Sequence, residues 1–188
     1  MNFKKISFII VIFFSLKSFS QNDSLDYSKN DWFTSIDIGV QMSGIKSEDF
    51  VNSNYSPLIR LSIGKWFNRS IGIQVGYQGW YFNAIADNDK HFYNFYFVEG
   101  ILDVKNILTS NTTQNEFYEL IFHGGFGYFQ NKYYNNSTIH GVLGASNNFF
   151  LANKIKLKID IGAIIGWDMY QGDQDILPNL SFGLVYEF

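Results

Sequence analysis

The chain has 188 residues and no cysteine, carries a formal net charge of −3, and is 19% aromatic but only 16% charged. Without cysteine there is no disulfide, no thiolate chemistry and no N-terminal Cys to carry a lipid. The acidic balance argues against a nucleic-acid partner, which needs a basic stripe, and the charged fraction falls below the roughly 25% usual for soluble domains.

In chain order, the first segment is expected to be removed before folding. Lys4 and Lys5 form a positive n-region, residues 6–16 an apolar run closed by Lys17, and Ser18 and Ser20 put small residues before Gln21. This is the pattern of a secretory signal peptide cleaved near Ser20/Gln21, and its core is too short to cross a bilayer as a helix. Without Lys4, Lys5 and Lys17 the remainder holds 11 basic against 17 acidic residues, a formal charge of −6.

Residues 21–30 (QNDSLDYSKN) are polar and aperiodic. From there an alternation with a period of two, the signature of strands, recurs eight times. In 32–44, Trp32, Thr34, Ile36, Ile38, Val40 and Met42 oppose Phe33, Ser35, Asp37, Gly39, Gln41 and Ser43. In 57–67, Ile59, Leu61 and Ile63 oppose Arg60, Ser62 and Gly64. Asn68-Arg69 predicts a two-residue hairpin turn into 70–83, where Ile71, Ile73, Val75 and Tyr77 oppose Gly72, Gln74, Gly76 and Gln78.

The fourth segment, 91–105, is bulky on both faces; Phe92, Tyr96, Val98, Leu102 and Val104 are assigned outward, Glu99, Asp103 and Lys105 inward. In 117–130, Leu120, Phe122, Phe126 and Tyr128 oppose Glu119, His123, Gly125 and Gly127. In 138–151, Ile139, Leu143, Ala145 and Phe149 oppose His140, Gly144, Ser146 and Asn148. In 155–170, Leu157, Ile159, Ile161, Ala163, Ile165 and Trp167 oppose Lys156, Lys158, Asp160, Gly162 and Asp168. In 178–188, Leu180, Phe182, Leu184, Tyr186 and Phe188 oppose Ser181, Gly183, Val185 and Glu187. Pro57 and Pro178 stand at the expected strand starts, where a missing donor is tolerated.

An even number of long strands in one exported domain predicts an all-β fold, an eight-stranded antiparallel up-and-down transmembrane β-barrel. The expected organisation is a signal peptide (1–20), a flexible periplasmic lead-in (21–30) and an outer-membrane barrel domain (31–188). Outer connections are expected near 44–56, 84–90, 131–137 and 171–177, and inner links at 68–69, 106–116 and 152–154. The second face decides for lipid against water. It is rich in Gly, Ser, Gln and Asn with isolated charges, whereas a water-facing surface would be dense in Lys and Glu. Aromatics gather at two levels: Trp32, Phe67, Phe149, Tyr186 and Phe188 at the inner end, and Tyr81, Phe92, Tyr128 and Trp167 at the outer end, as two membrane interfaces require. Turning the seventh strand over would press Lys156, Lys158 and Asp160 against hydrocarbon, at about 2–4 kcal/mol per lysine at the midplane. The clearest outward misfits are Lys65, close enough to a strand end to snorkel, and Asn94.

The segments GKWFN (64–68), VGYQGW (75–80), GGFGYF (124–129) and FGLVYEF (182–188) resemble OmpA-like (OmpA/OmpX-type) eight-stranded outer-membrane barrels of Gram-negative bacteria, in matching order from about residue 31 onward. The resemblance implies an integral barrel of the cell outer membrane. It also implies that the terminal aromatic strand (Leu184, Tyr186, Phe188) is read as an assembly signal by the barrel-assembly machinery. The peptidoglycan-binding domain that many OmpA proteins add is not carried over to this chain.

The expected barrel-interior polar network is Asp37, Arg60, Glu99, Asp103, Glu119, His123, Lys158 and Asp160, in a lumen narrow enough for side chains to fill, where cations and carboxylates must pair. A Ser-His-acid set (Ser146, His140, Glu119) can be drawn, and Asp87, Asp89 and His91 could hold a cation loosely on an outer loop. Neither has a convincing spacing, so no catalytic residue, metal or cofactor is assigned. The predicted role is structural or surface-interacting, with outer-membrane lipid and lipopolysaccharide around the barrel and an extracellular ligand at polar, aromatic outer loops. A narrow pore or transport accessory is the second reading, and a lipid-modifying barrel enzyme the third.

Overall fold

The computed structural model describes residues 32–43, 55–83, 89–108, 118–152, 154–167, 169 and 174–188. The signal segment 1–20, the lead-in 21–30 and most of the expected outer loops lie outside the described residues, as do Asp87 and Asp168. The strands are β1 (Trp32–Met42), β2 (Tyr55–Trp66), β3 (Ile71–Asn83), β4 (Lys90–Asp103), β5 (Tyr118–Asn131), β6 (Asn136–Ala152), β7 (Ile155–Trp167) and β8 (Gln174–Glu187), with one short helix, α1 (Val104–Leu108), after β4. Each strand pairs antiparallel with the next, and β1 closes the barrel on β8 through pairs such as Ile36↔Leu184 and Ile38↔Phe182. Closure leaves no free sheet edge, the condition for backbone to cross hydrocarbon. The end that carries Trp32 and Glu187 is here termed inner.

The alternation read from the sequence is the alternation of burial. Ile36, Ile38 and Val40 of β1 are exposed while Ser35, Asp37 and Gln41 are buried, and Ile161 and Ile165 of β7 are exposed while Lys156, Lys158 and Asp160 are buried. Exposed Leu61, Ile63, Val75, Phe122, Phe126, Leu143, Leu180, Phe182 and Leu184 continue the apolar belt around the wall. Water-soluble monomers rarely expose contiguous apolar patches beyond a few hundred Å². A belt on all sides is the exterior of a transmembrane barrel. Lys65 interrupts it least, because its Nζ lies 5.4 Å above the Trp32 ring at the inner girdle.

Four expectations are corrected. The link after β2 is not two residues but the bend 67–70, where the Asn68 side chain accepts from the backbone NH of Ser70 (2.8 Å) and of Ile71 (2.7 Å). Val104 and Lys105 do not continue β4, because the chain turns into α1, with Asn106 N donating to Asp103 Oδ1 at 3.1 Å. The turn between β5 and β6 is only 132–135, with Asn135 at φ 51°, a left-handed conformation that asparagine tolerates. Finally, β8 starts at Gln174, so Pro178 sits inside a strand. It lies one residue beyond the last β1–β8 pair, Gln41↔Asn179, as Pro57 lies one beyond the last β2–β3 pair, Leu58↔Trp80. Both prolines thus stand where one ladder has already ended and no donor is required.

Candidate functional site

The lumen carries the chemistry. At mid-height, alternate residues of β1, β2, β4, β5 and β7 point inward together and join into one ionic layer. Arg60 Nη2 donates to Glu99 Oε2 at 2.5 Å, and Gln74 Nε2 donates to the same oxygen at 2.5 Å. His123 spans two carboxylates, with Nδ1 3.1 Å from Glu99 Oε1 and Nε2 2.9 Å from Asp160 Oδ2. Lys158 Nζ lies 3.4 Å from Asp37 Oδ2 and 3.6 Å from Asp160 Oδ2. With a carboxylate at each ring nitrogen, His123 satisfies both as the imidazolium. The layer then holds three cations, Arg60, His123 and Lys158, against three anions, Asp37, Glu99 and Asp160, all buried. Glycines across the strand make room for the bulk: Asp37 is paired with Gly183, Glu99 with Gly125 and His123 with Gly144.

Two of the expected network residues stand apart. Glu119 belongs to a second cluster nearer the inner end, where Lys156 Nζ donates to Glu119 Oε1 (2.8 Å) and to Glu187 Oε1 (2.6 Å), and Asn148 Nδ2 reaches Glu119 Oε2 at 3.4 Å. Asp103 is buried but serves the start of α1. Lys105, assigned inward from its parity, is outside the lumen. Its Nζ donates to Tyr118 O at 2.8 Å and lies 4.1 Å over the Tyr118 ring, because α1 breaks the alternation.

The interior is not polar throughout, and this corrects the picture of a salt-bridged lumen. Toward the outer end, Phe82, Tyr93, Phe95, Phe97, Phe129 and Leu177 pack into one buried cluster with Val142, Ile164 and Met169. Toward the inner end, Phe33, Trp66, Ile101, Ile121 and Val185 form another. The ionic layer is enclosed between them. The parity that sends Glu99 inward also sends Tyr93, Phe95 and Phe97 inward, so the signal was present in β4, but its two bulky faces hid which one packs. The outer cluster is tied to the ionic layer by polar links. Tyr93 OH donates to Gln41 Oε1 at 2.5 Å, Gln78 Nε2 donates to Tyr93 OH at 3.3 Å, and the Arg60 guanidinium lies 4.3 Å over the Phe97 ring. A chamber of about 20 Å³ remains between Trp66, Ile121, His123 and Lys156, room for about one water.

The drawn catalytic set does not assemble. Ser146 and His140 both face inward from β6, but six residues of strand separate them by about 20 Å. His140 Nε2 is 2.9 Å from Thr138 Oγ1, and Glu119 is engaged by Lys156. Of the suggested loop cation site, Asp87 lies outside the described residues, while His91 is buried and stacks on Tyr133 at 4.0 Å. Leu184, Tyr186 and Phe188 form an exposed outward stripe, with the Tyr186 and Phe188 rings stacked at 6.2 Å.

A closed eight-stranded barrel with an apolar belt, aromatic ends and a stoppered lumen defines the class: the chain is a transmembrane β-barrel with the fold of the small outer-membrane barrels. Its structure is similar to that of Neisserial surface protein A (TM-score 0.58, 10% identity, 84% of this chain and 97% of that one). It is also similar to the N-terminal β-barrel domain of Pseudomonas aeruginosa OprF (TM-score 0.51, 10% identity, 82% and 97%) and to a de novo designed transmembrane β-barrel (TM-score 0.51, 14% identity, 87% and 100%). No protein-family model and no curated protein sequence matches the chain.

Proposed function

We propose that this chain is an integral outer-membrane protein with a structural or surface-interaction role, its barrel a rigid mount for the outer connections. The observation that supports this reading is the double closure of the lumen. Phe82, Tyr93, Phe95 and Phe129 fill one end and Phe33, Trp66 and Ile121 the other, so the ionic layer lies between two apolar clusters. Paired charges enclosed in this way serve to hold strands in register rather than to pass ions. The segment 1–20 directs export and is removed by cleavage near Ser20/Gln21. Assembly relies on the outward stripe Leu184, Tyr186 and Phe188 as the element read by the barrel-assembly machinery. Outer-membrane lipid and lipopolysaccharide surround the belt, and an extracellular ligand would meet the outer connections.

Two measurements test this reading. In outer-membrane fractions the protein should migrate differently on gels before and after boiling, as folded barrels do; recovery as a soluble periplasmic protein refutes it. In planar bilayers the purified protein should give no discrete conductance steps, and reproducible channels would replace this reading with the pore.

A further inference from the structure

We propose that the outer half of the β3–β5 wall binds a phosphorylated, acylated glycolipid of the lipid A class through its exterior face. The site rests on the outer-membrane reading above, since it takes its ligand from the outer leaflet.

On β1–β2 and β7–β8, exterior cross-strand partners in the outer half are apolar, as in Ile38↔Ile59 and Val40↔Pro57 or Ala163↔Pro178 and Ile165↔Ile176. On β4 and β5 the directly paired residues are Asn94 and Gln130. They belong to a directed chain: Tyr77 OH donates to Asn94 Oδ1 at 3.2 Å, and Asn94 Nδ2 donates to Gln130 Oε1 at 3.3 Å. The chain ends on the carboxamide NH₂ of Gln130, an exterior donor beside Ser137 and within the outer aromatic girdle, one step beyond Tyr128. A lipid offers acceptors at that interfacial depth in the ester and amide carbonyls of its acyl chains. The chain is built in: Tyr77 lies back along its strand over Gly79, the cross-strand partner of Asn94, where an added Cβ would strike the tyrosine ring and hydroxyl.

Below this polar step runs a groove of about 730 Å³, walled by Leu61, Ile63, Tyr96, Phe126 and Tyr128 with Val75 and Val98 between them. The groove ends on the rung of Ile63, Val75, Val98 and Phe126, which pair across β2, β3, β4 and β5. From Asn94 to Val98 is roughly 13 Å along the strand, or about 10 Å along the membrane normal at a tilt near 40°. That is about a third of a hydrocarbon core of about 30 Å, the upper part of one leaflet's acyl chains.

Above the step stand the cations. Lys90 and Lys132 lie in the same outward phase as Asn94 and Gln130, with Lys132 held across from Phe92 by its backbone NH to Phe92 O at 2.9 Å. Among the described residues they are the only lysines or arginines at the outer end of the barrel. Beside them Tyr81 lies 4.9 Å below Lys90 Nζ and 5.7 Å from Phe92. Trp80 shares its register with inward-facing Leu58 and Tyr93, yet it is 46% exposed and meets Tyr81 edge-on at 6.4 Å; its φ of 127° turns the indole outward. Phosphate-binding cations, aromatic faces for a sugar ring, a donor for an acyl carbonyl and an apolar groove follow one another down a single wall. That order is the order of groups in lipid A.

The test uses the whole folded protein in detergent micelles, offered lipid A or phosphatidylglycerol at equal concentration, with bound lipid counted by native mass spectrometry. Lipid A should be retained about tenfold more strongly than phosphatidylglycerol. N94L/Q130L should lower lipid A retention about tenfold, the effect of losing one carbonyl contact in low dielectric. K90Q/K132Q, whose changes lie outside the hydrocarbon, should lower it by at least as much while leaving retention of dephosphorylated lipid A unchanged. Equal retention of the two lipids by wild type, or undiminished lipid A on either variant, overturns the site and leaves the barrel intact. Failure of the wild-type chain to fold as a barrel refutes the membrane reading itself.

Discussion

Arg60→Met is the sharpest probe of the enclosed ionic layer. Arg60 is 1% exposed, its Nη2 lies 2.5 Å from Glu99 Oε2, and Glu99 is fully buried. Methionine retains most of the side-chain length but removes one of three cations facing three anions, leaving one uncompensated negative charge between two apolar layers. Removing one partner of a buried pair costs about 3–5 kcal/mol. The contact between the guanidinium and Phe97 at 4.3 Å adds about 1 kcal/mol. A loss of about 5 kcal/mol is expected, a large fraction of a usual stability margin of about 5–15 kcal/mol. In R60M/E99L both partners are apolar and most of the penalty should vanish, leaving about 1–2 kcal/mol for the contacts of Gln74 and His123 that Glu99 no longer accepts. The assay is equilibrium urea unfolding of the refolded barrel, followed by the fluorescence of its four tryptophans. A coupling of at least about 2 kcal/mol between the two positions is expected. If R60M is within about 1 kcal/mol of wild type, or if the R60M and E99L losses simply add, the layer does not work as a closed set of paired charges.

Other perturbations test its neighbours. Lys156→Met leaves Glu119 and Glu187 facing each other without the ammonium that now bonds both; a loss of about 3 kcal/mol is expected by urea unfolding, and Lys156→Arg should recover most of it. Gly183→Ala places a methyl against the Asp37 carboxylate and Ile36 O; overpacking of this kind should cost about 1–3 kcal/mol in the same assay. Phe129→Ala opens the outer cluster, in which Phe129 stacks on Tyr93 at 5.0 Å, and should cost about 3–5 kcal/mol. It should still show no channels in planar bilayers, because Phe33, Trp66 and Ile121 remain in the path. Conductance in this single variant would show that the inner cluster does not seal.

The strands and their inward and outward faces were legible residue by residue, because a period of two couples chain position to side of the sheet without reference to anything distant. The same local rule misled where the chain left the sheet. It put Lys105 in the lumen, since parity cannot see that α1 begins at Val104. It also kept β8 short by treating Pro178 as a boundary, since only the β1–β8 register shows that no partner there needs its NH. Asn94 looked like a misfit on its own strand. It has a place only beside Tyr77 and Gln130, from the strands on either side.

By itself, then, the sequence determined the strand count, the phase of each strand and the lipid-facing belt, all of which follow from composition and alternation over a few residues. The tertiary structure alone decided which inward residues share a height. Strand stagger and tilt bring Arg60 to Glu99 and Lys158 to Asp37 across 39 and 121 positions of chain, send Glu119 to a different cluster, and stack the inward aromatics of β4 and β5 into a stopper. Height along the barrel axis is a property of register between strands, and register is set by pairing with a neighbour rather than by any one strand's own residues.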